Sequence, residues 1–216
     1  MKIATWNIER LKHANRLAEI EAAIKTIDVD ILILTESDTR INLEYPFVSM
    51  SDPLNSDYYR NTERRVTIHS KFEIVSNHET YDGRTAVCPE IASPFGNLLI
   101  YGTIIGIHGN RRLSFKEDLR KQLLDFERLS GRNFCIAGDF NISFSDNYYH
   151  TNFGRDSLNK SFERNRIQNL TAGLPETIDH ICVSEDFVRN RAVKLLEWNQ
   201  DKTLSDHKGV CVSLEL

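Results

Sequence analysis

A chain of 216 residues is long enough for one domain with a large core, and its 27% charged and 40% hydrophobic residues are ordinary for a soluble globular protein. The formal net charge of −4 argues against a broadly basic nucleic-acid coat, while leaving room for a local basic groove or an acidic metal site. No apolar stretch is long enough for a signal peptide or membrane span, so the chain as given reads as mature and soluble.

In chain order, Lys2 to Asn7 reads as a short strand with Ile3, Ala4 and Trp6 as core candidates. Leu17, Ile20, Ile24 and Ile27 recur at helical spacing, which predicts an amphipathic helix over 13–27. Residues 29–35 are nearly continuously apolar, as in a strand covered on both faces, and deliver Glu36 at their end. This strand–helix–strand opening indicates an α/β domain. Shorter strands are expected at 47–50, 65–69, 73–75 and 85–91, with Pro53, Asn55 and Gly83 punctuating the loops. Residues 97–107 form a long apolar strand ending at His108. Ser114-Phe115-Lys116-Glu117 then has the form of a capping box opening a helix that runs to 129. Residues 134–137 read as a buried strand, after which Gly138 lets the backbone turn and Asp139 and Asn141 emerge two apart. The stretch 143–158 is irregular, polar and aromatic, and a short helix is expected over 160–169. The closing strands are 177–183, 193–198 and 210–214.

No linker divides the chain, so 1–216 reads as a single domain. Many short strands with a few long helices favour two packed sheets flanked by helices over one parallel sheet. Of the four cysteines, Cys135, Cys182 and Cys211 lie inside apolar runs and none, Cys88 included, shows zinc-type spacing. Reduced structural thiols and a cytoplasmic location follow as expectations.

The polar residues at the strand ends carry the chemistry. Asp139 and Asn141 can hold a water or a phosphate between carboxylate and amide. Glu36, fixed to a strand end, is a suitable hard ligand for Mg²⁺, and Glu9, two after Asn7, can support the same ion or a second one. Asp206-His207 combines a carboxylate near the metal with an imidazole for a phosphate oxygen, and Asp179 would orient that imidazole. His180, beside Asp179, points to the opposite face of its strand and reads as structural. His108 is a second imidazole of the same kind with Glu63 as its candidate partner. Arg84 offers a guanidinium matched to phosphate oxygens. Singly, each of these is an ordinary turn or surface residue. There is no nucleophile elbow, Walker loop, dinucleotide glycine loop or Cys-x-x-Cys, so the inventory suits water attack on phosphorus assisted by a divalent ion.

Trp6-Asn7-Ile8, Thr35-Glu36, Gly138-Asp139-Phe140-Asn141, Ile178-Asp179-His180-Ile181 and Ser205-Asp206-His207 together resemble the motifs of the exonuclease/endonuclease/phosphatase superfamily, in that superfamily's order. The resemblance implies a four-layered α/β sandwich, two mostly antiparallel mixed sheets flanked by helices, with the site at one edge. It implies that Glu36 is the principal metal ligand, with Asn7 and Asp206 nearby, for Mg²⁺ or alternatively Mn²⁺. It also implies that Asp139 positions or deprotonates the water, Asn141 holds a phosphate oxygen, and His207, paired with Asp179, stabilises charge on phosphorus. His108 matches the second histidine of the deoxyribonuclease-like and sphingomyelinase-like branches, and Glu63 and Arg84 match less securely. The Pro-Asn loop of abasic-site endonucleases is absent, as are the signatures of inositol polyphosphate 5-phosphatases.

Three functions are consistent with these residues. The first is a Mg²⁺-dependent nuclease, with Arg111, Arg112 and Lys116 tracking a backbone and Tyr148, Tyr149 and Phe153 stacking bases. The second is hydrolysis of a small phosphate ester, a phospholipid headgroup or a 5′-tyrosyl–DNA adduct. The third is a non-catalytic binding module on the same fold.

Overall fold

The computed structural model describes residues 1–54 and 57–215; Asn55, expected to punctuate a loop, lies outside the described residues. In sequence order the strands are β1 (Lys2–Asn7), β2 (Ile31–Asp38), β3 (Phe47–Met50), β4 (Glu63–Ser70), β5 (Ile74–His78), β6 (Ala86–Ser93), β7 (Gly96–Ile104), β8 (Phe134–Asp139), β9 (Ile167–Asn169), β10 (Asp179–Ser184), β11 (Ala192–Trp198) and β12 (Gly209–Glu215). Helices α1 (Leu17–Ile27), α2 (Leu113–Leu129), α3 (Asn152–Asn165) and α4 (Glu185–Val188) join them.

The strands form two six-stranded sheets, ordered β11-β12-β1-β2-β4-β3 and β5-β6-β7-β8-β10-β9. Each contains one parallel pair, β1 with β2 and β7 with β8, and every other pairing is antiparallel. A parallel pair needs a crossover, and α1 and α2 supply it in the two sheets. Alternation along each strand then divides the core. Ile3, Ile31 and Ile33 face Ile100, Cys135, Ala137 and Ile181 between the sheets. Ala4, Trp6, Leu32 and Leu34 pack outward with Ile20 and Ile24 of α1. Leu99, Tyr101 and Ile136 pack outward with Phe115 and Phe126 of α2 and Leu158 of α3. Strands covered on both faces in this way explain the near-continuous apolar runs.

Several boundaries differ from those read in the sequence. Two 3-10 turns, Glu9–Leu11 and Ala14–Arg16, precede α1, which therefore starts at Leu17 and not at residue 13. The capping box at Ser114 is not used: Arg112 is the N-cap residue and makes no side-chain cap. Helix α3 begins at Asn152, capped by the Thr151 side chain accepting from the Gly154 N–H, and β9 follows it where helix was expected. Among the described residues, no helix is long and apolar enough to cross a membrane.

Candidate active site

Topology brings the polar strand ends together at one rim. Strand β12 is antiparallel to β1, so the Ser205–His207 segment that enters β12 lies beside the end of β1 that carries Asn7. In the other sheet Asp139, the last residue of β8, pairs directly with Asp179, the first of β10. A hydrogen bond from Asn7 Nδ2 to Asp139 Oδ2 (3.2 Å) joins the two rims.

Asp139 is buried and heavily coordinated. Its Oδ1 accepts from the Asn141 N–H (2.9 Å), and its Oδ2 accepts from Asn7 and, at 3.4 Å, from Asn141 Nδ2. Burial pushes its carboxyl up well above the usual carboxylate range, with the neighbouring Asp179 and Glu36 in support and the His207 charge and the Asn141 N–H in opposition. Asn141, at φ 52°, also donates to the Ile105 carbonyl (3.1 Å), while the buried Asn110 donates to the Asn141 carbonyl (2.7 Å).

His207 Nδ1 lies 2.5 Å from Asp179 Oδ2, and Asp139, Asp179 and His207 each present a polar atom within 4.8 Å of the others. Burial alone would disfavour the imidazolium. The Asp179 charge and hydrogen bond outweigh it and, with Asp139 and Asp206, raise the His207 pKa far above its ordinary value. The loop carrying His207 is fastened by residues outside the expected set. The Ser205 hydroxyl donates to the Asn7 carbonyl (2.6 Å), and the His207 carbonyl accepts from Trp6 Nε1 (3.0 Å) and Asn199 Nδ2 (2.7 Å). Ser205 stood inside the Ser-Asp-His motif, but nothing in the sequence marked Asn199.

Glu36 is not at the end of β2 but inside it, at φ 43°, flanked by Thr35 paired with Val66 and Ser37 paired with Arg64. This left-handed residue turns the carboxylate out of the ladder toward the rim. Burial raises its pKa, partly offset by Arg10 and His207, and Asp206 and Glu9 add to the rise. Glu9 Oε2 accepts from the Asp206 N–H (2.9 Å), which ties the two acids to one corner. Asn7 Oδ1 accepts from the Glu9 N–H (2.9 Å), so its amide presents nitrogen to Asp139. Glu36, Asp206 and Glu9 place carboxylates at one corner, while the ligand atoms that come within 4.8 Å of one another among the described residues are those of Asp139, Asp179 and His207, and Asp179 Oδ1 is buried without a hydrogen-bond partner. Carboxylate oxygens of this kind are the donors that a hard divalent cation takes.

Other expected residues lie elsewhere. Glu63 accepts from the Arg60 N–H (3.1 Å) and stands beside Arg10; no hydrogen bond or ion pair among the described residues joins it to His108. His108 is exposed in a turn closed by the Gly109 N–H to the Gly106 carbonyl, and it lines a separate cleft with Arg65 and Lys121. Arg84 and Arg111 are exposed and do not line the cleft beside His207. That cleft, about 270 Å³, does include Tyr148, with Asn141, Tyr149, Asp179, Lys202 and Lys208. Lys202 Nζ donates to the Tyr148 hydroxyl (2.9 Å), and Lys208 Nζ to the Pro175 carbonyl (3.0 Å). Neither lysine carried a motif in the sequence.

His180 is fully buried, with Nε2 2.9 Å from the Ile142 carbonyl and Nδ1 3.0 Å from the Thr171 hydroxyl. The carbonyl requires Nε2–H, so the neutral ring accepts at Nδ1. Burial lowers its pKa to about 4 from 6.5. A depressed folded pKa means that its contribution to stability is complete above pH 6.5 and is lost as pH falls toward 4. In an NMR titration the His180 ring is expected to stay neutral down to about pH 4; a ring titrating near 6.5 would contradict this burial.

A sequence model described as the Endonuclease/Exonuclease/phosphatase family matches residues 4–207. No curated protein sequence matches the chain. Among solved structures, an endonuclease/exonuclease/phosphatase from Beutenbergia cavernae DSM 12333 superposes with a TM-score of 0.75 at 16% identity, covering 100% of this chain and 71% of that one. An AP endonuclease from Archaeoglobus fulgidus gives 0.73 at 15% identity with 100% of both chains covered. The endonuclease domain of TRAS1, a telomere-specific non-LTR retrotransposon, gives 0.69 at 14%, covering 100% of this chain and 98% of that one. At these identities the likeness is one of fold.

Proposed function

Because the chain belongs to the endonuclease/exonuclease/phosphatase family, we propose that it hydrolyses phosphodiester bonds in nucleic acid by Mg²⁺-dependent attack of water on phosphorus. The observation that carries this reading is the Asp139, Asp179 and His207 cluster set beside Glu36 at one rim of the two sheets. Glu36, with Asp206 and Glu9, would hold the divalent cation, which would supply positive charge to the phosphate oxygens. Asp139, its pKa raised toward neutrality by burial, takes the proton from the attacking water as the new P–O bond forms. Asn7 and Asn141 orient that carboxylate, the Asn141 amide hydrogens being directed to Asp139 Oδ2 and the Ile105 carbonyl. The His207 imidazolium, held by Asp179, stabilises the charge that develops as the ester P–O bond breaks.

Nucleic acid is favoured over a small ester by the cleft next to His207. Tyr148, Tyr149 and Lys202 line it, offering aromatic rings for bases and an ammonium group for a backbone phosphate, while Lys208 is paired with Glu197. The four cysteines are free and buried, which supports a reducing, cytoplasmic setting.

The direct test is cleavage of labelled single- and double-stranded DNA and RNA with Mg²⁺, the Asp139→Asn variant serving as control. Cleavage that is lost in the variant and falls steeply with salt is the expected result. Salt-insensitive hydrolysis of small phosphate esters with no cleavage of any nucleic acid would move the substrate to the ester class. Inactivity toward every substrate and metal would leave a binding module.

A further inference from the structure

Arg10 stands where the proposed metal site needs to be open. It lies in a run of three left-handed residues, Glu9 (φ 47°), Arg10 (φ 55°) and Leu11 (φ 52°), a conformation that side-chain-bearing residues adopt only against a steric penalty. This turn carries the Arg10 guanidinium to 3.8 Å from a carboxylate oxygen of Glu36 and 3.8 Å from one of Glu63. At that separation the guanidinium is an ion-pair partner but not a hydrogen-bond donor to either acid. The two acids are not equivalent. Glu63 has a second donor in the Arg60 N–H, whereas no hydrogen bond among the described residues ends on the Glu36 carboxylate. The rings of Tyr58 and Tyr59 lie 5.1 and 5.2 Å from the guanidinium carbon and form a cation–π platform beside the acids.

We propose that Arg10 is a built-in counter-cation for Glu36, so that its guanidinium and a divalent metal ion compete for the same carboxylate. The inference rests on the reading of Glu36 as the metal ligand. Its physical basis is that two cations cannot both sit within contact distance of one carboxylate without strong repulsion. The loose 3.8 Å geometry and the tyrosine platform let the guanidinium withdraw without losing all its partners. The site then stays charge-balanced when metal-free, at the cost of a weaker grip on the ion.

The competition is read by calorimetric titration of Mg²⁺, repeated with Mn²⁺, on wild type and three variants. Arg10→Gly removes the guanidinium and also relieves a left-handed backbone position, so it is expected to melt no lower than wild type and to bind the ion roughly tenfold more tightly. Lys202→Gln removes a positive charge at the neighbouring cleft and is expected to leave the affinity within about twofold, because that half-buried ammonium is engaged with Tyr148 and forms no ion pair with Glu36 among the described residues. Glu36→Gln is expected to lose the binding. Unchanged or weaker affinity in Arg10→Gly, or an equal gain in Lys202→Gln, overturns the role of Arg10 while leaving the metal site in place. Full binding by Glu36→Gln, or binding by neither wild type nor Arg10→Gly, overturns the metal reading and this proposal with it.

Discussion

Asp139→Asn is expected to lower turnover of a phosphodiester by about 100-fold or more while the calorimetric affinity for Mg²⁺ is retained. The substitution keeps shape and volume, removes the charge and the ability to take a proton, and replaces one of the two accepting oxygens by a donor. The loss should be this large because Asp139 is built for one task. Its carboxylate is buried, directed by the Asn7 and Asn141 amides and the Asn141 N–H, and pushed by burial toward a pKa from which it can exchange a proton with water near neutrality. His207→Ala should produce a loss of similar order, because the imidazolium held by Asp179 faces charge that develops only in the transition state. Glu36→Gln should differ from both by losing the ion first. If Asp139 and His207 serve one displacement, the double variant will be little worse than the poorer single one. Stopped assays under saturating Mg²⁺, with circular dichroism to verify folding, decide the matter. More than about a tenth of wild-type turnover in Asp139→Asn would remove Asp139 from the role of base.

The sequence was informative where a polar residue terminated an apolar run. Asn7, Asp139 and Asp179 were legible as strand-end positions because burial on both faces makes β1, β8 and β10 largely apolar, so a polar residue at the end of the run marks the rim. Two packed sheets followed from the many short strands between a few long helices, and the four-layered sandwich from the resemblance. Legibility failed where backbone strain or long-range fastening decides the outcome. Glu36 read as a strand end because Ser37 and Asp38 are polar, yet both pair with β4 and the glutamate is ejected by a local left-handed φ. Arg10 carried no signal, since three successive left-handed residues have no propensity signature and its partners lie 26 and 53 positions away (36 − 10 and 63 − 10). The expected Glu63–His108 pair had no spacing or periodicity to fix it. In the fold, Glu63 starts β4 next to Arg10, and His108 sits in an exposed turn over another cleft.

Gly138→Ala is expected to be among the most damaging single substitutions in the chain, costing about 4 kcal/mol or more and lowering the melting temperature by roughly 10 °C or more. In the β7–β8 parallel pair, Gly138 is in register with Thr103, and a Cβ added there would lie 1.9 Å from the Thr103 carbonyl oxygen. That neighbour is backbone in a central strand, so it cannot turn aside as a flexible side chain would. The residue also sits at φ +140°, a region that side-chain-bearing residues rarely enter. Relief requires β7 and β8 to separate, which breaks ladder hydrogen bonds and displaces Asp139 from the two amides that direct it. Gly131→Ala supplies the comparison. It also has a positive φ, +84°, but an added Cβ would meet nothing within 4 Å, so only the backbone preference of about 1 kcal/mol is lost. The difference between the two variants in a thermal melt therefore isolates the collision with Thr103. Equal stability of the two would show that the strands can part cheaply at this point, and the rim that carries Asp139 would then be softer than its packing implies.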